Sequence, residues 1–291
     1  MAVTAAMVKE LRARTGAGMM ECKKALVETD GDLAQAADAL RKSGQAKADK
    51  KAGRIAAEGQ VVVRTDGSQS VILEANSETD FVAKDENFQE FVDTMATVVL
   101  REHPADVAAL MDLAHDGGTL DQARTALIAK VGENIAVRRF EVIEASGPLG
   151  HYIHGSRIAV VVELSGGDEA LAKDIAMHVA ASNPAYVSAA DVPADQLNKE
   201  REILSAQAAQ EGKPENIVAK MVEGRLAKFL AEITLAGQPF VKDPDISVGK
   251  LLQQAGASVT RFVRYEVGEG IEKKADNFVE EVMAQVSQSQ D

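Results

Sequence analysis

The chain has 291 residues, 32 basic and 45 acidic side chains, a net charge of −13 and 46% hydrophobic residues. That leaves room for more than one packed core and argues against wholesale disorder. One cysteine, Cys22, excludes an internal disulfide framework and a cysteine-based zinc site. No apolar run reaches the ~18 residues of a membrane helix, and Met1-Ala2-Val3-Thr4 starts no signal peptide, so a cytoplasmic protein is expected.

Residues 4–43 read as three short helices. Thr4 caps the first, with Met7, Val8 and Leu11 on its apolar side, and Gly16-Ala17-Gly18 breaks it. Met19, Cys22, Ala25 and Leu26 recur at helical spacing in the second. Asp32 caps the third, with Leu33, Ala36, Ala37 and Leu40 inside, and Gly44 ends it. Residues 45–57, with Lys47, Lys50, Lys51 and Arg54, read as a solvated helical or flexible linker. Residues 1–54 carry 11 basic and 7 acidic side chains, net +4, and the remainder carries −17. A basic head thus sits on an acidic body, which should repel nucleic acid. The head suits an RNA or an acidic protein surface.

From Gly59 the texture changes. Val61-Val62-Val63 and Val71-Ile72-Leu73 flank Thr65-Asp66-Gly67-Ser68, a β-hairpin signal. A helix with Phe88, Phe91, Val92, Met95 and Val99 on one side follows. Two further helical stretches lead to a β-branched strand over residues 135–145, and Gly147-Pro148 marks a boundary.

The pattern then returns. Val71-Ile72-Leu73-Glu74 matches Val160-Val161-Val162-Glu163, and Ala83-Lys84-Asp85 matches Ala172-Lys173-Asp174, both at an offset of 89. Arg139-Phe140 matches Arg261-Phe262 at an offset of 122, so the second copy has 33 extra residues before its last strand. This reads as an internal duplication. The extra residues form a helical hairpin, with Leu197, Arg201, Leu204 and Ala208 on one arm. Gly212-Lys213-Pro214 makes the turn, and Val218, Met221, Val222, Leu226, Phe229 and Ile233 lie on the other arm. Spacing alone leaves open whether the hairpin protrudes toward a partner or folds back on its own domain. Gly268-Glu269-Gly270 reads as a flexible joint. Beyond it Asp276 caps a last helix with Phe278, Val279, Val282 and Met283, either a docking helix or a frayed end.

Catalytic signatures are missing. No phosphate-binding loop, dinucleotide fingerprint or nucleophile elbow appears. His151 and His154 lack nearby metal-ligand partners, and His178 reads as a packed histidine. Aromatics are 4% and tryptophan is absent, which weakens base stacking as a binding mode. One segment stands apart: Asn76-Ser77-Glu78-Thr79-Asp80-Phe81-Val82-Ala83-Lys84-Asp85. Ser77 and Asp80 suit a capping-box variant, and Asp85 can cap a later helix. Phe81 and Val82 are either the first core residues of a helix or something more. Phe81 aligns with Ala170 of the second copy, which favours an exposed Phe81.

With these motifs in order, the chain resembles bacterial elongation factor Ts, the nucleotide-exchange factor for elongation factor Tu. The resemblance rests on the run from Thr15 to Leu26, on Thr79-Asp80-Phe81-Val82-Ala83-Lys84-Asp85, and on Gly132-Glu133-Asn134-Ile135 before Arg138-Arg139. It continues in His178-Val179-Ala180-Ala181-Ser182, Gly237-Gln238-Pro239-Phe240-Val241 and Glu266-Val267-Gly268-Glu269-Gly270. It implies an α+β fold: a three-helix ubiquitin-associated-like N-terminal domain plus linker (1–54) and the first core copy (55–146), then the first part of the second copy (147–190). An inserted antiparallel helical hairpin (191–233), the second part of that copy (234–265) and a C-terminal helical module (266–291) follow. Antiparallel sheets are expected in the core.

The resemblance also implies a function: binding elongation factor Tu in its GDP and nucleotide-free forms, disturbing its magnesium and phosphate site, and promoting GDP release. Thr79, Asp80, Phe81 and Val82 are the implied magnesium-displacing segment. Arg12, Met19, Met20 and Lys23 of the head would meet the partner's nucleotide-binding domain, and His154 its third domain. The hairpin implies a homodimer or a two-plus-two complex. No enzyme activity, cofactor, metal, membrane association or direct nucleic-acid binding is expected. The alternative is a non-exchanging scaffold or RNA-associated protein that uses the basic head.

Overall fold

The computed structural model describes residues 3–211 and 213–272. Thr4 accepts from the Met7 amide at 3.3 Å and starts α1 (Ala5–Thr15), which ends at Gly16. α2 (Met19–Glu28) begins after Gly18, and Asp32 accepts from the Ala34 and Gln35 amides to start α3 (Leu33–Lys51). Each cap satisfies amides that have no carbonyl partner within the helix. Val8, Leu11, Cys22, Ala25, Leu26 and Ala36 form the head's buried cluster.

Two expectations for the head are corrected. Met19 is 59% exposed, because the small cluster closes over Cys22 and Leu26 and leaves the first turn of α2 uncovered. Gly44 does not end α3, which runs on to Lys51, so residues 45–51 are not a free linker. Ala48 joins the main core, and Lys51 Nζ donates to the Gly132 carbonyl. Packing on the body outweighs the ~1 kcal/mol that a mid-helix glycine costs.

The body is α+β. Its first sheet pairs β1 (Glu58–Asp66), β2 (Gln69–Ser77) and a third strand, Ala136–Glu144, all antiparallel with β2 in the middle. Between the second and third strands run α4 (Asp80–Ala83), α5 (Glu86–Glu102), α6 (Val107–Asp112), the short pair β3 (Ala114–His115) and β4 (Gly118–Thr119), and α7 (Leu120–Val131). The third strand is β5. The second sheet consists of β6 (Leu149–His154), β7 (Ile158–Ser165) and a last strand, Ser258–Glu266, with β7 in the middle. Between β7 and that strand lie α8 (Glu169–Ser182), α9 (Ala194–Ala209), α10 (Glu215–Ile233), β8 (Pro239–Phe240), β9 (Asp243–Ser247) and α11 (Val248–Gln254). The last strand is β10. Both sheets share one plan, a hairpin and then a third strand on the hairpin's second strand. Glu74 lies opposite Arg139 in one, and Glu163 opposite Arg261 in the other.

The two sheets stack face to face. Val61, Val63, Ile72 and Ile143 of the first meet Ala159, Val161, Val263 and Tyr265 of the second. The alternate residues point outward under helices: Val62, Val71 and Leu73 pack with Phe88 and Met95 of α5, and Val160 and Val162 pack with Ile175 and Val179 of α8. A strand with apolar cover on both faces needs consecutive apolar residues, hence the unbroken valine runs. At Gly150 a Cβ would collide with the backbone of Ala172 and Lys173, so glycine lets β6 cross close to α8.

In the hairpin of α9 and α10, the buried residues Leu204, Ala208, Val222 and Leu226 form a cluster drawn from these two helices. The apolar side of each arm is thus covered by the opposite arm, and neither the parent domain nor a partner is needed to bury it. The base closes where the Ala185 amide donates to Ile233 at 2.9 Å and the Leu235 amide to Tyr186 at 2.8 Å. The joint at 268–270 is anchored at its first glycine. Gly268 has φ +73°, its amide donates to the Glu74 carboxylate, and a Cβ there would strike the Ala57 carbonyl. Gly212 and the expected last helix, with Asp276, Phe278, Val279, Val282 and Met283, lie outside the described residues.

Candidate functional site

The segment that follows β2 is built by three caps. Ser77 Oγ donates to the Thr79 carbonyl at 2.9 Å, rather than pairing with Asp80 as a capping box. Thr79 Oγ1 accepts from the Val82 amide at 3.4 Å and starts the single turn of α4. Asp85 then accepts from the amides of Asn87 and Phe88, as expected, and starts α5 separately. With Ala83 buried and its carbonyl bonded by Gln60 Nε2 at 2.7 Å, the turn has its other side in solvent. Phe81 is on that side and is 82% exposed. Val82 packs partly on the core, so the core reading holds for Val82 and fails for Phe81.

Exposure of one phenylalanine to this degree forfeits roughly 1.5–3 kcal/mol of burial, which a binding partner can recover. Beside it, Asp80 pairs with Lys84 at 2.6 Å. That hydrogen bond, with the charges of Lys84 and Arg157, holds the Asp80 carboxyl below its ordinary range. A negative charge and an aromatic ring are thus presented together.

Residues 132–135 hold this turn from below. Glu133 accepts from the Thr79 amide at 2.9 Å and from Thr79 Oγ1 at 2.7 Å. In return, Glu78 accepts from the Asn134 amide at 2.6 Å. Asn134 Nδ2 donates to the Arg54 carbonyl at 2.8 Å, just beyond α3. Sequence reasoning noted this motif but gave Glu133, Asn134 and Glu78 no role, because nothing in the spacing shows that positions 54 residues apart are bonded.

The remaining candidates occupy two places. Arg12 on α1 and Met19, Met20 and Lys23 on α2 are exposed on the head, with Met20 73% exposed. His154 is exposed at the end of β6, its Nδ1 3.3 Å from the Tyr152 hydroxyl. The turn that follows His154 is brought to the first sheet. The Val61 amide donates to Ser156 at 2.9 Å, and Arg157 reaches Glu58 at 2.5 Å. His151 and His154 are three apart on a strand and point to opposite faces, which removes them as a metal pair. Among the described residues no group of three His, Cys, Asp or Glu side chains is placed to hold a metal ion. No helix there is long and apolar enough to cross a membrane.

Two further polar clusters are internal. Glu74 is fully buried, which by itself would raise its pKa, yet bonds from Gly268, Asn76, Arg139 and Arg138 hold the carboxyl below its ordinary range. His178 is fully buried. Burial keeps its ring below the ordinary histidine value, its Nε2 lies 3.0 Å from Gln238 Oε1, and its Nδ1 accepts from the Val241 amide at 3.1 Å.

Comparison with known proteins places this architecture. A family model described as Elongation factor TS matches residues 78–269. Elongation factor Ts of Thioalkalivibrio sulfidiphilus is 65% identical over 289 residues, 98% of this chain and 99% of that protein. Elongation factor Ts of Alkalilimnicola ehrlichii is 60% identical over 288 residues, 98% and 99% of the two chains, and that of Legionella pneumophila is 58% identical over 287 residues, 98% of each. With end-to-end identity at this level and the family match over the segment that carries Phe81, the chain belongs to the elongation factor Ts family.

Proposed function

We propose that this protein is the guanine nucleotide exchange factor of translation elongation, acting on elongation factor Tu. It binds the GDP form, disturbs the magnesium and phosphate site, and promotes GDP release so that GTP can enter. Exchange forms and breaks no covalent bond, so the protein is not an enzyme in the chemical sense. The observation that carries the reading is Phe81, 82% exposed on a one-turn helix in a protein of this family.

The physical requirement is differential binding. Whatever factor this protein takes from GDP affinity, GDP takes from its own. A thousandfold weakening needs about 4 kcal/mol. Burial of Phe81 supplies roughly 1.5–3 kcal/mol of it. Thr79, Asp80 and Val82 frame the wedge. Asp80 leaves Lys84 on binding and brings a carboxylate to the partner's magnesium shell. Arg12, Met19, Met20 and Lys23 hold the partner's nucleotide-binding domain, and His154 holds its third domain.

The common strand order of the two sheets supports an internal duplication of residues 55–146, with the hairpin of 191–233 inserted in the second copy. The head resembles a ubiquitin-associated domain. Exposed Ile203 and Ile217 on the hairpin support self-association into a dimer or a two-plus-two complex, and a monomeric mass by light scattering would overturn that part. Direct nucleic-acid binding is not expected of so acidic a body, and the location proposed is the cytoplasm. The deciding experiment follows labelled GDP leaving elongation factor Tu with and without this protein. Accelerated release is expected, and an unchanged rate overturns the proposal.

A further inference from the structure

The geometry assigns Glu133 as a positioning residue for nucleotide exchange: its carboxylate, bonded to the amide and hydroxyl of Thr79, fixes the direction in which Phe81 leaves the body. This rests on the reading of Phe81 as the wedge.

A one-turn helix has too few internal hydrogen bonds to hold its own orientation. α4 spans four residues, and its cap from Thr79 is long, at 3.4 Å. What fixes it comes from outside. Glu133 takes both hydrogen-bond donors of Thr79, the residue from which α4 starts, at 2.9 and 2.7 Å. Two donors on one carboxylate define both the position and the rotation of the cap residue, as a single bond does not. The tie is reciprocal, because Glu78 takes the Asn134 amide at 2.6 Å. The peptide before α4 and residues 133–134 are therefore locked to one another from both sides.

The same loop also meets the head. Asn134 Nδ2 bonds the Arg54 carbonyl, and Lys51 Nζ bonds the Gly132 carbonyl. Both belong to the end of α3 or the residues just past it. The loop thus sets the wedge relative to the long helix of the basic head. If both touch the same partner, their mutual geometry decides whether Phe81 arrives on target. Ordering of the wedge in advance removes an entropic cost from the complex in which it acts. Glu133 is half-buried and Phe81 is exposed, so Glu133 works through Thr79 rather than by contact with the partner.

The test is a double-mutant cycle in the full chain, with elongation factor Tu bound to labelled GDP. Wild type, Glu133→Gln, Phe81→Ala and the double variant are compared for maximal GDP release rate and for half-saturating concentration. Thermal melts confirm that each is folded. Glu133→Gln is expected to lower the maximal rate about tenfold, the scale of one charge-assisted bond, with half-saturation little changed. On the Phe81→Ala background it is expected to change nothing further. Thr79→Val is expected to copy Glu133→Gln, and Thr79→Ser, which keeps the hydroxyl that Glu133 accepts from, to slow release less than Thr79→Val. If Phe81→Ala slows release but Glu133→Gln does not, or if the two losses multiply, the positioning role is overturned and the wedge stands. If Phe81→Ala itself leaves the rate unchanged, the wedge reading falls, and the inference with it.

Discussion

Glu74 and Gly268 stand 194 residues apart in the chain and meet through one hydrogen bond, 2.8 Å from the Gly268 amide to the Glu74 carboxylate. The same carboxylate accepts from Arg139 Nε at 2.7 Å, Arg138 Nη1 at 3.0 Å and Asn76 Nδ2 at 3.1 Å. Arg139 in turn lies 4.1 Å over the Tyr265 ring. One buried charge thereby joins the middle strand of the first sheet to the end of the last strand of the second. Glu74→Ala leaves two arginines without their partner and is expected to destabilise the protein by about 3 kcal/mol, the lower end of the usual range because both arginines are partly exposed. Urea unfolding measures this, and a loss under 1 kcal/mol would contradict the role.

The buried ionisable groups set a pH profile. Folded His178 is held below its ordinary value of 6.5, chiefly by burial. The unfolded chain takes up this proton first, so stability is full above pH 6.5 and falls as pH drops from there toward the lower folded value. Glu74 adds a second step. Its folded pKa lies below 4.5, so its contribution is present above pH 4.5 and is lost as pH falls through the folded value. Melting temperature is expected to hold from pH 8 to 7, sag below 6.5 and drop again below 4.5. An NMR titration of His178 with a midpoint at or above 6.5 would refute the first step.

Gly44 lies inside α3, where a Cβ would fall 3.7 Å from that of Ala129, an ordinary contact. Gly44→Ala removes the helix penalty of glycine and fits the space. A gain of about 0.5–1 kcal/mol is expected, readable as a higher melting temperature. Destabilisation would mean that α3 and α7 pack more closely here than the structure shows.

Phe81→Ala is expected to slow stimulated GDP release by about 10- to 100-fold, which is the burial of one phenylalanine expressed as a rate. Its own stability should stay within about 0.5 kcal/mol of wild type, because an exposed side chain holds little of the fold together. Stopped-flow release and a thermal melt on the same sample separate the two effects.

The charge of the head is expected to act on encounter. Arg12→Glu with Lys23→Glu should slow association with elongation factor Tu several-fold at low salt and much less at 0.5 M salt, an ionic strength that shortens screening to about 4 Å. Association rates across a salt series check this. Equal slowing at every salt concentration would point to contact rather than steering.

Local signals in the sequence were strong where a few neighbouring residues decide the outcome. The caps at Thr4, Asp32 and Asp85, the turn at Gly67 and the apolar side of α5 are fixed by i to i+3 or i+4 relationships, and the structure has all of them. Phe81 was legible because the pattern that returns at an offset of 89 sets Ala170 against it. The errors arose where a local cue competes with distant packing. Gly44 carries a stop signal that burial of Ala48 overrides. Gly268 and Gly270 look like a hinge until the Glu74 carboxylate takes the Gly268 amide.

Spacing, composition and ordered motifs sufficed for the main helices and strands, the charge division between head and body, and the family. Tertiary structure decided that the two sheets face each other through Val61, Val63, Ala159 and Val161. It also decided that Glu133 holds Thr79 and that the turn after His154 docks beside the first sheet. These depend on which distant segments share one buried layer. Hydrophobic burial is non-directional and names no partner for a valine, so only the closed packing of the whole chain assigns it one.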